Sequence, residues 1–391
     1  MRRWSIGSRV SLMVVAACGG GGPEPSGPAK ASLHPVASAS VAPLASASAT
    51  PSVSASSNAS QPPARVAFTD AVPRFLKANR AAFHAHDAKR IAELYARDAV
   101  IASPSARGLE ETDPSSMRRD LEALYLAFPD ADLSVSRVLA TGNVALMEWV
   151  ITGTNKGDFM GLGVTGKTIG YRGVSVLMFD DFGQVSHETM YFDLGTVMGQ
   201  LGLGPKGLKV RPADVASPVE PEIIFGDDPS TVDNVAALKD LYAALDRHDE
   251  KAVLAKTSDQ LLFSAAPRST DLKRTDYVKS IRDEALGFSD CKTETVACWS
   301  IGPWAACETL WTATMKGEAL GMRPNHQKGS VHGIDLVKLE SGKIARIESF
   351  SNGAETTASF GGTGDKPKPA NDEVKLTGSK PSAAKKPPPK N

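Results

Sequence analysis

At 391 residues, with 41% hydrophobic and 6% aromatic content, the chain can build two domains of ordinary size with real cores. Lys+Arg and Asp+Glu both number 44, so the formal net charge is zero. Such a balance offers no broad field for gathering polyanions and argues against nucleic acid as a partner.

The N-terminus reads as a targeting segment, residues 1–18. Arg2, Arg3 and Arg9 accompany an apolar run, Val10 to Ala17, far too short to span a bilayer as a helix. The run ends in Val15-Ala16-Ala17-Cys18, which resembles the lipobox of bacterial lipoproteins. That resemblance implies cleavage before Cys18 and lipidation of Cys18. With Gly19 next, it also implies an outer-membrane lipoprotein in the cell envelope, touching membrane through its N-terminal lipid only. An ordinary signal peptide that happens to end in Cys is the alternative. Residues 19–66 are dominated by Ala, Ser, Pro, Gly and Val, cannot bury enough apolar surface to offset ordering, and predict a disordered tether.

Phe75, Asn79, Ala82 and Phe83 follow helical spacing, and Ile91, Leu94 and Tyr95 predict a second short helix. Met117, Leu121, Leu124 and Phe128 give a third, stopped by Pro129-Asp130. Strands follow over Leu133–Ala140, Val144–Thr154, Lys167–Phe179 and Val185–Asp193, with hairpin turns at Gly142-Asn143 and Phe182-Gly183. Helices first and an antiparallel meander afterwards predict α+β, a curved sheet wrapped by helices that leaves a pocket.

The pattern then repeats roughly 160 residues later. HAHDAKRIAELYARDAVIASP from His84 matches DRHDEKAVLAKTSDQLLFSAAP from Asp246, and ALYLAFPDADLSV from Ala123 matches DEALGFSDCKTET from Asp283. VALMEWVITGTNKG from Val144 aligns with WAACETLWTATMKG from Trp304, and DDFGQVSHETMYFDLG from Asp180 with LESGKIARIESFSNGA from Leu339. The domains are placed at 67–205 and 231–361, with a linker at 206–230 and a disordered Lys/Pro tail at 362–391. A hairpin centred on Gly302-Pro303 would set Cys298 nearly opposite Cys307 and predicts a cross-strand disulfide, leaving Cys291 a buried thiol. Two buried free thiols are the alternative.

Gly153-Thr154-Asn155-Lys156-Gly157-Asp158-Phe159-Met160-Gly161, then Thr165-Gly166-Lys167, resembles the SnoaL-like ester cyclase pattern of the NTF2-like superfamily. Phe192-Asp193-Leu194-Gly195 and Gln200-Leu201-Gly202-Leu203 resemble the family's close. The resemblance implies two cone-shaped domains, the second degenerate. It further implies a cofactor-independent polyketide cyclase or isomerase reaction on a small apolar carbonyl compound, in the first domain only.

By that resemblance Asp193 matches the family's general base, a role that burial favours by raising a carboxylate's pKa. Alternation puts His187, Thr189, Tyr191 and Asp193 on one face, expected to point into the cone, with His187 polarising a carbonyl and Tyr191 contacting the ligand. Glu148, Asn155 and Phe159 complete the expected ligand-binding set. Each has a plainer reading: Asp193 as a helix cap, His187 as a solvated strand position, Glu148 as structural because Glu308 repeats it. Asn155 stands where the family pattern has His, and Asn352 stands where Asp193 repeats, so the second copy lacks a base. His86-Asp87 recurs as His248-Asp249, which reads as turn chemistry, and no metal site is expected. Against the enzyme stands a non-catalytic module in the outer membrane that binds a hydrophobic ligand or a protein. The two copies are also expected to pair as an internal pseudo-dimer.

Overall fold

The computed structural model describes residues 64–203, 210–215, 220–226, 232–266, 268–319 and 324–361. The N-terminal segment with Cys18, nearly all of residues 19–66, about half of the linker at 206–230 and residues 362–391 lie outside the described residues.

The first domain opens with helix α1 (Phe68–His84), which buries Ala71, Val72, Phe75, Leu76, Asn79, Ala82 and Phe83 along one side. Asp87 then caps the short α2 (Ala88–Ala92), accepting from the Arg90 N–H at 3.0 Å. Here the chain departs from the expected second helix. The helix stops at Ala92, and Tyr95 begins strand β1 (Tyr95–Ser105), which turns back as β2 (Gly108–Thr112). Helix α3 (Pro114–Ala127) starts with Asp113 as cap and Pro114 in the first turn, where a missing N–H costs nothing.

A four-strand antiparallel meander follows: β3 (Asp132–Thr141), β4 (Val144–Thr154), β5 (Thr168–Phe179) and β6 (Val185–Phe192). Asp193 then opens helix α4 (Leu194–Gln200). The linker contributes β7 (Glu222–Phe225), which runs parallel to β3 at the sheet edge. Because β1 also pairs parallel with β6, the seven-stranded sheet β2-β1-β6-β5-β4-β3-β7 is mixed at both flanks.

The second domain repeats the plan with α5 (Val232–Asp246), α6 (Glu250–Lys256), β8 (Thr257–Ala265), β9 (Leu272–Lys273) and α7 (Arg274–Gly287). It ends with β10 (Lys292–Ile301), β11 (Trp304–Thr314), β12 (Lys328–Glu340), β13 (Lys343–Ser351) and α8 (Gly353–Ser359), its sheet ordered β10-β11-β12-β13-β8-β9. Both domains are α+β cones. Cys298 faces Cys307 in β10–β11 and is joined to it by a disulfide, while Cys291 is a half-buried free thiol.

The two faces of the first domain's sheet are buried for different reasons. The concave face carries Ala145, Met147, Trp149, Tyr171 and Leu177 against the helices. Gly173 lies under the Trp149 indole, where a Cβ would sit 2.3 Å from Cζ2, so only glycine lets that ring lie flat. The convex face carries Leu139, Val144, Leu146, Val174, Val176 and Tyr191. These residues form one apolar layer with Ile301, Trp304, Ala306, Ile334, Leu336 and Phe350 of the second domain.

Candidate functional site

Asp193 is 4% exposed and sits at the junction of the two domains, not in the cone. Its oxygens accept from Gly195 N (3.1 Å), Thr196 N (2.9 Å), Thr196 Oγ1 (2.6 Å) and, across the junction, Gly353 N (2.9 Å). Desolvation raises its pKa against the opposing effect of these donors, Thr196 foremost. The hollow beside it, lined by Tyr171, Arg172, Thr196, Arg211, Asp214 and Ala266, has no room for a water molecule. The side chain is a helix cap with every approach taken.

The expected face of β6 is inverted. Tyr191 belongs to the convex apolar layer and donates its hydroxyl to Glu308 Oε1 of the second domain at 3.0 Å. His187, half-buried on the same side, has its Nε2 3.2 Å from Thr189 Oγ1. Glu148 is also convex: Arg137 donates to both of its oxygens at 2.7 Å and to Glu348 Oε2 at 3.1 Å. The Arg137 guanidinium lies 3.8 Å above the Trp304 ring. Burial and the neighbouring Glu348 push Glu148 upward, while Arg137, Arg346 and the hydrogen bond from Glu148 hold Glu348 down at about 2.

Asn155 is fully buried but serves the loop after β4, its amide donating to Gly157 O (2.7 Å) and its Oδ1 accepting from Thr165 N (2.6 Å). Phe159 folds back edge-on to Phe128, ring centroids 5.1 Å apart, and packs half-buried against the domain core. Neither side chain forms a site with Asp193.

The concave face instead carries a carboxylate that the sequence reading passed over. Glu188 is 4% exposed, and Tyr95 donates its hydroxyl to Oε2 at 2.6 Å. Ser175 also bonds to Glu188, and its Oγ accepts from Trp149 Nε1 at 3.0 Å, so indole, serine, carboxylate and phenol form one chain. Desolvation in this aromatic setting raises the Glu188 pKa, countered by the Tyr95 and Ser175 bonds. The signal available in the sequence was the company Glu188 keeps at alternate positions, Met190 and Phe192.

A groove of about 550 Å³ opens in the first domain between α1, β3 and the linker. Pro73, Leu76, Val135, Pro221 and Ile223 give it apolar walls, and Lys77, Arg80 and His84 stand along the α1 side. Arg80 donates to Glu220 at 2.9 Å across it.

In the second domain Ile347 stands at the place of Glu188, and a half-buried carboxylate, Asp335, arises on the neighbouring strand opposite Ser349. Desolvation raises Asp335 as well. At the far end of that domain the donor atoms of His248, Glu284 and Cys291 lie within 4.8 Å of one another.

A family model described as SnoaL-like polyketide cyclase matches residues 74–201 and again residues 236–358. No match was found among curated proteins. Among solved structures, AclR, a proposed hydroxylase from Streptomyces galilaeus, is 22% identical over 35% of this chain and 87% of its own, with a TM-score of 0.32. IdmH, a proposed polyketide cyclase from Streptomyces antibioticus, is 15% identical over 33% and 98%, with a TM-score of 0.31. A protein of ketosteroid isomerase-like fold from Catenulispora acidiphila, in complex with trimethylamine, is 16% identical over 34% and 94%, with a TM-score of 0.29.

Proposed function

The chain belongs to the SnoaL-like polyketide cyclase family in both of its halves, and from that premise we propose a non-catalytic binding protein, anchored in the outer membrane through a lipid on Cys18. The two copies act as an internal pseudo-dimer. The observation that carries this reading is the state of Asp193. A general base needs a free lone pair aimed at a substrate proton, whereas this carboxylate is spent on two helix N–H groups, a hydroxyl and the other domain. The ligand is a small hydrophobic molecule with an acidic end, held in the groove beside α1. Leu76, Val135 and Ile223 suit its body, and Lys77 suits its charge, Arg80 being held by Glu220.

Calorimetric titration of the full chain with a medium-chain fatty acid tests this. Saturable one-to-one binding, weakened at least about tenfold by Ala81→Trp, supports the groove, since each tenfold is about 1.4 kcal/mol of contact. Absence of saturation, or an unchanged affinity in the filled variant, removes it.

One observation favours a second reading. Glu188 is a buried carboxylate of raised pKa among aromatic rings on the concave face, which is the setting a proton-abstracting base requires. A turnover of any enolisable ketone that Glu188→Gln abolishes and Asp193→Asn spares would move the protein into that class.

A further inference from the structure

We propose that His248, Glu284 and Cys291 form a binding site for a zinc-like divalent cation at the helical end of the second domain. The three come from different elements: the α5–α6 turn, α7 and the residue before β10. Cys291 Sγ lies 3.7 Å from His248 Nε2 and 3.9 Å from Glu284 Oε1. Ligand bonds of about 2.0–2.3 Å put tetrahedral donors roughly 3.3–3.7 Å apart, so small side-chain movements suffice. Imidazole, carboxylate and thiolate are also the donor types zinc accepts, with a fourth position left for water.

The internal repeat supplies a control within the same molecule. In the first copy the equivalents are His86, Leu124 and Ala131. There His86 Nε2 lies 3.0 Å from the Ala131 carbonyl oxygen and its ring stacks on Tyr125, centroids 4.5 Å apart. The second copy replaces Tyr125 by Ala285, which removes the stacking partner, and replaces Leu124 and Ala131 by a carboxylate and a thiol. Both histidines keep the same left-handed backbone, φ 52°, so the turn is conserved between copies while its surroundings change from apolar to ligating. No other such trio of His, Cys and acidic donors occurs among the described residues.

Asp246, fixed by Thr293 through N at 2.9 Å and Oγ1 at 2.7 Å, adds negative charge near Cys291, and a carboxylate and a thiol bind a divalent cation as anions.

The test uses the full chain carrying Cys18→Ser, so that Cys291 is its one thiol outside the disulfide, titrated with Co²⁺ and then Zn²⁺ near neutral pH. The expected result is a near-ultraviolet thiolate-to-cobalt charge-transfer band saturating at one equivalent and bleached by one equivalent of Zn²⁺. Cys291→Ala and Glu284→Leu install the first copy's own residues, so both should fold, as circular dichroism can verify. Each should weaken binding on the order of 100-fold or more. Absence of the band, or an affinity that Cys291→Ala leaves unchanged, overturns the site and leaves a thiol–imidazole contact.

Discussion

Asp193 of the first domain accepts the backbone N–H of Gly353 in the second at 2.9 Å, and Gly353 directly follows Asn352, the residue that occupies Asp193's own place in the repeat. The relation is nearly reciprocal, because Asn352 caps α8 through Ala354 N and donates its amide to the Ser105 carbonyl of the first domain. Two helix caps related by the repeat therefore meet at the junction, each tied into the opposite domain. A base that must exchange protons with substrate cannot also hold this position. Asp193→Ala should cost about 2–4 kcal/mol of stability, since it strands several buried N–H groups at once, and Asp193→Asn roughly half of that. Urea unfolding of the full chain measures both. Wild-type stability in Asp193→Ala would return the residue to the catalytic reading.

The same junction holds Glu148, Glu348 and Arg137, with side chains 8%, 7% and 16% exposed. Arg346 also donates to Glu348. Removing the central guanidinium alone leaves two carboxylates in a dry layer, so Arg137→Met should cost on the order of 3–5 kcal/mol. Adding Glu148→Gln and Glu348→Gln should restore most of it. Solution scattering is the second readout: the single variant should shift towards separated lobes and the triple variant back to one compact particle. Equal damage in both would mean that shape, not charge, sets the cost.

That layer also explains what the sequence could and could not convey. The meander β3–β6 was legible because Gly142 and Gly183 mark its turns, with φ of 60° and 79°. The direction of the faces was not. In β4 and β5 the convex Val144, Leu146, Val174 and Val176 are as apolar as the concave Ala145, Met147, Trp149 and Leu177, because one set packs on a domain and the other on helices. Alternation then carries a period but no sign, and choosing the wrong sign moved His187, Tyr191 and Asp193 into the cone and Glu188 out of it. Strand β1 was hidden differently: Arg97, Asp98 and Pro104 interrupt its apolar pattern, and its pairing with β6 is set by tertiary contact. In β7, the short run Glu222–Phe225 becomes a strand only because the β3 edge is there to pair with it.

His332 and Glu355 give the junction a pH response. His332 Nδ1 lies 2.7 Å from Glu355 Oε1, and that bond raises the imidazole pKa above its ordinary value, burial opposing. Gly108 of the first domain covers the pair, a Cβ there falling 3.2 Å from His332 Cε1. A histidine raised on folding stabilises fully below its unfolded pKa of about 6.5, and the contribution fades as pH rises through the folded value. Glu355→Gln should therefore lower the melting temperature most at mildly acidic pH, with the difference shrinking towards alkaline pH. A gap that widens on the alkaline side would contradict the assignment.

Glu188 and Tyr95 should behave as one unit. The second copy dispenses with the carboxylate–phenol pair, with Ile347 and Thr257 in their places. Glu188→Ile alone leaves the Tyr95 hydroxyl and Ser175 without their acceptor inside the cone and should cost about 1–3 kcal/mol. Tyr95→Phe on that background should return part of it, because a hydroxyl with no acceptor is removed. The coupling between the two substitutions, measured by a double-mutant cycle in urea, should then be at least about 0.5 kcal/mol. Strict additivity would show that the 2.6 Å contact contributes nothing to stability. In that case a carboxylate kept dry beside Tyr95 and Ser175 would lack a structural reason to be there, and the proton-abstracting reading of Glu188 would gain ground.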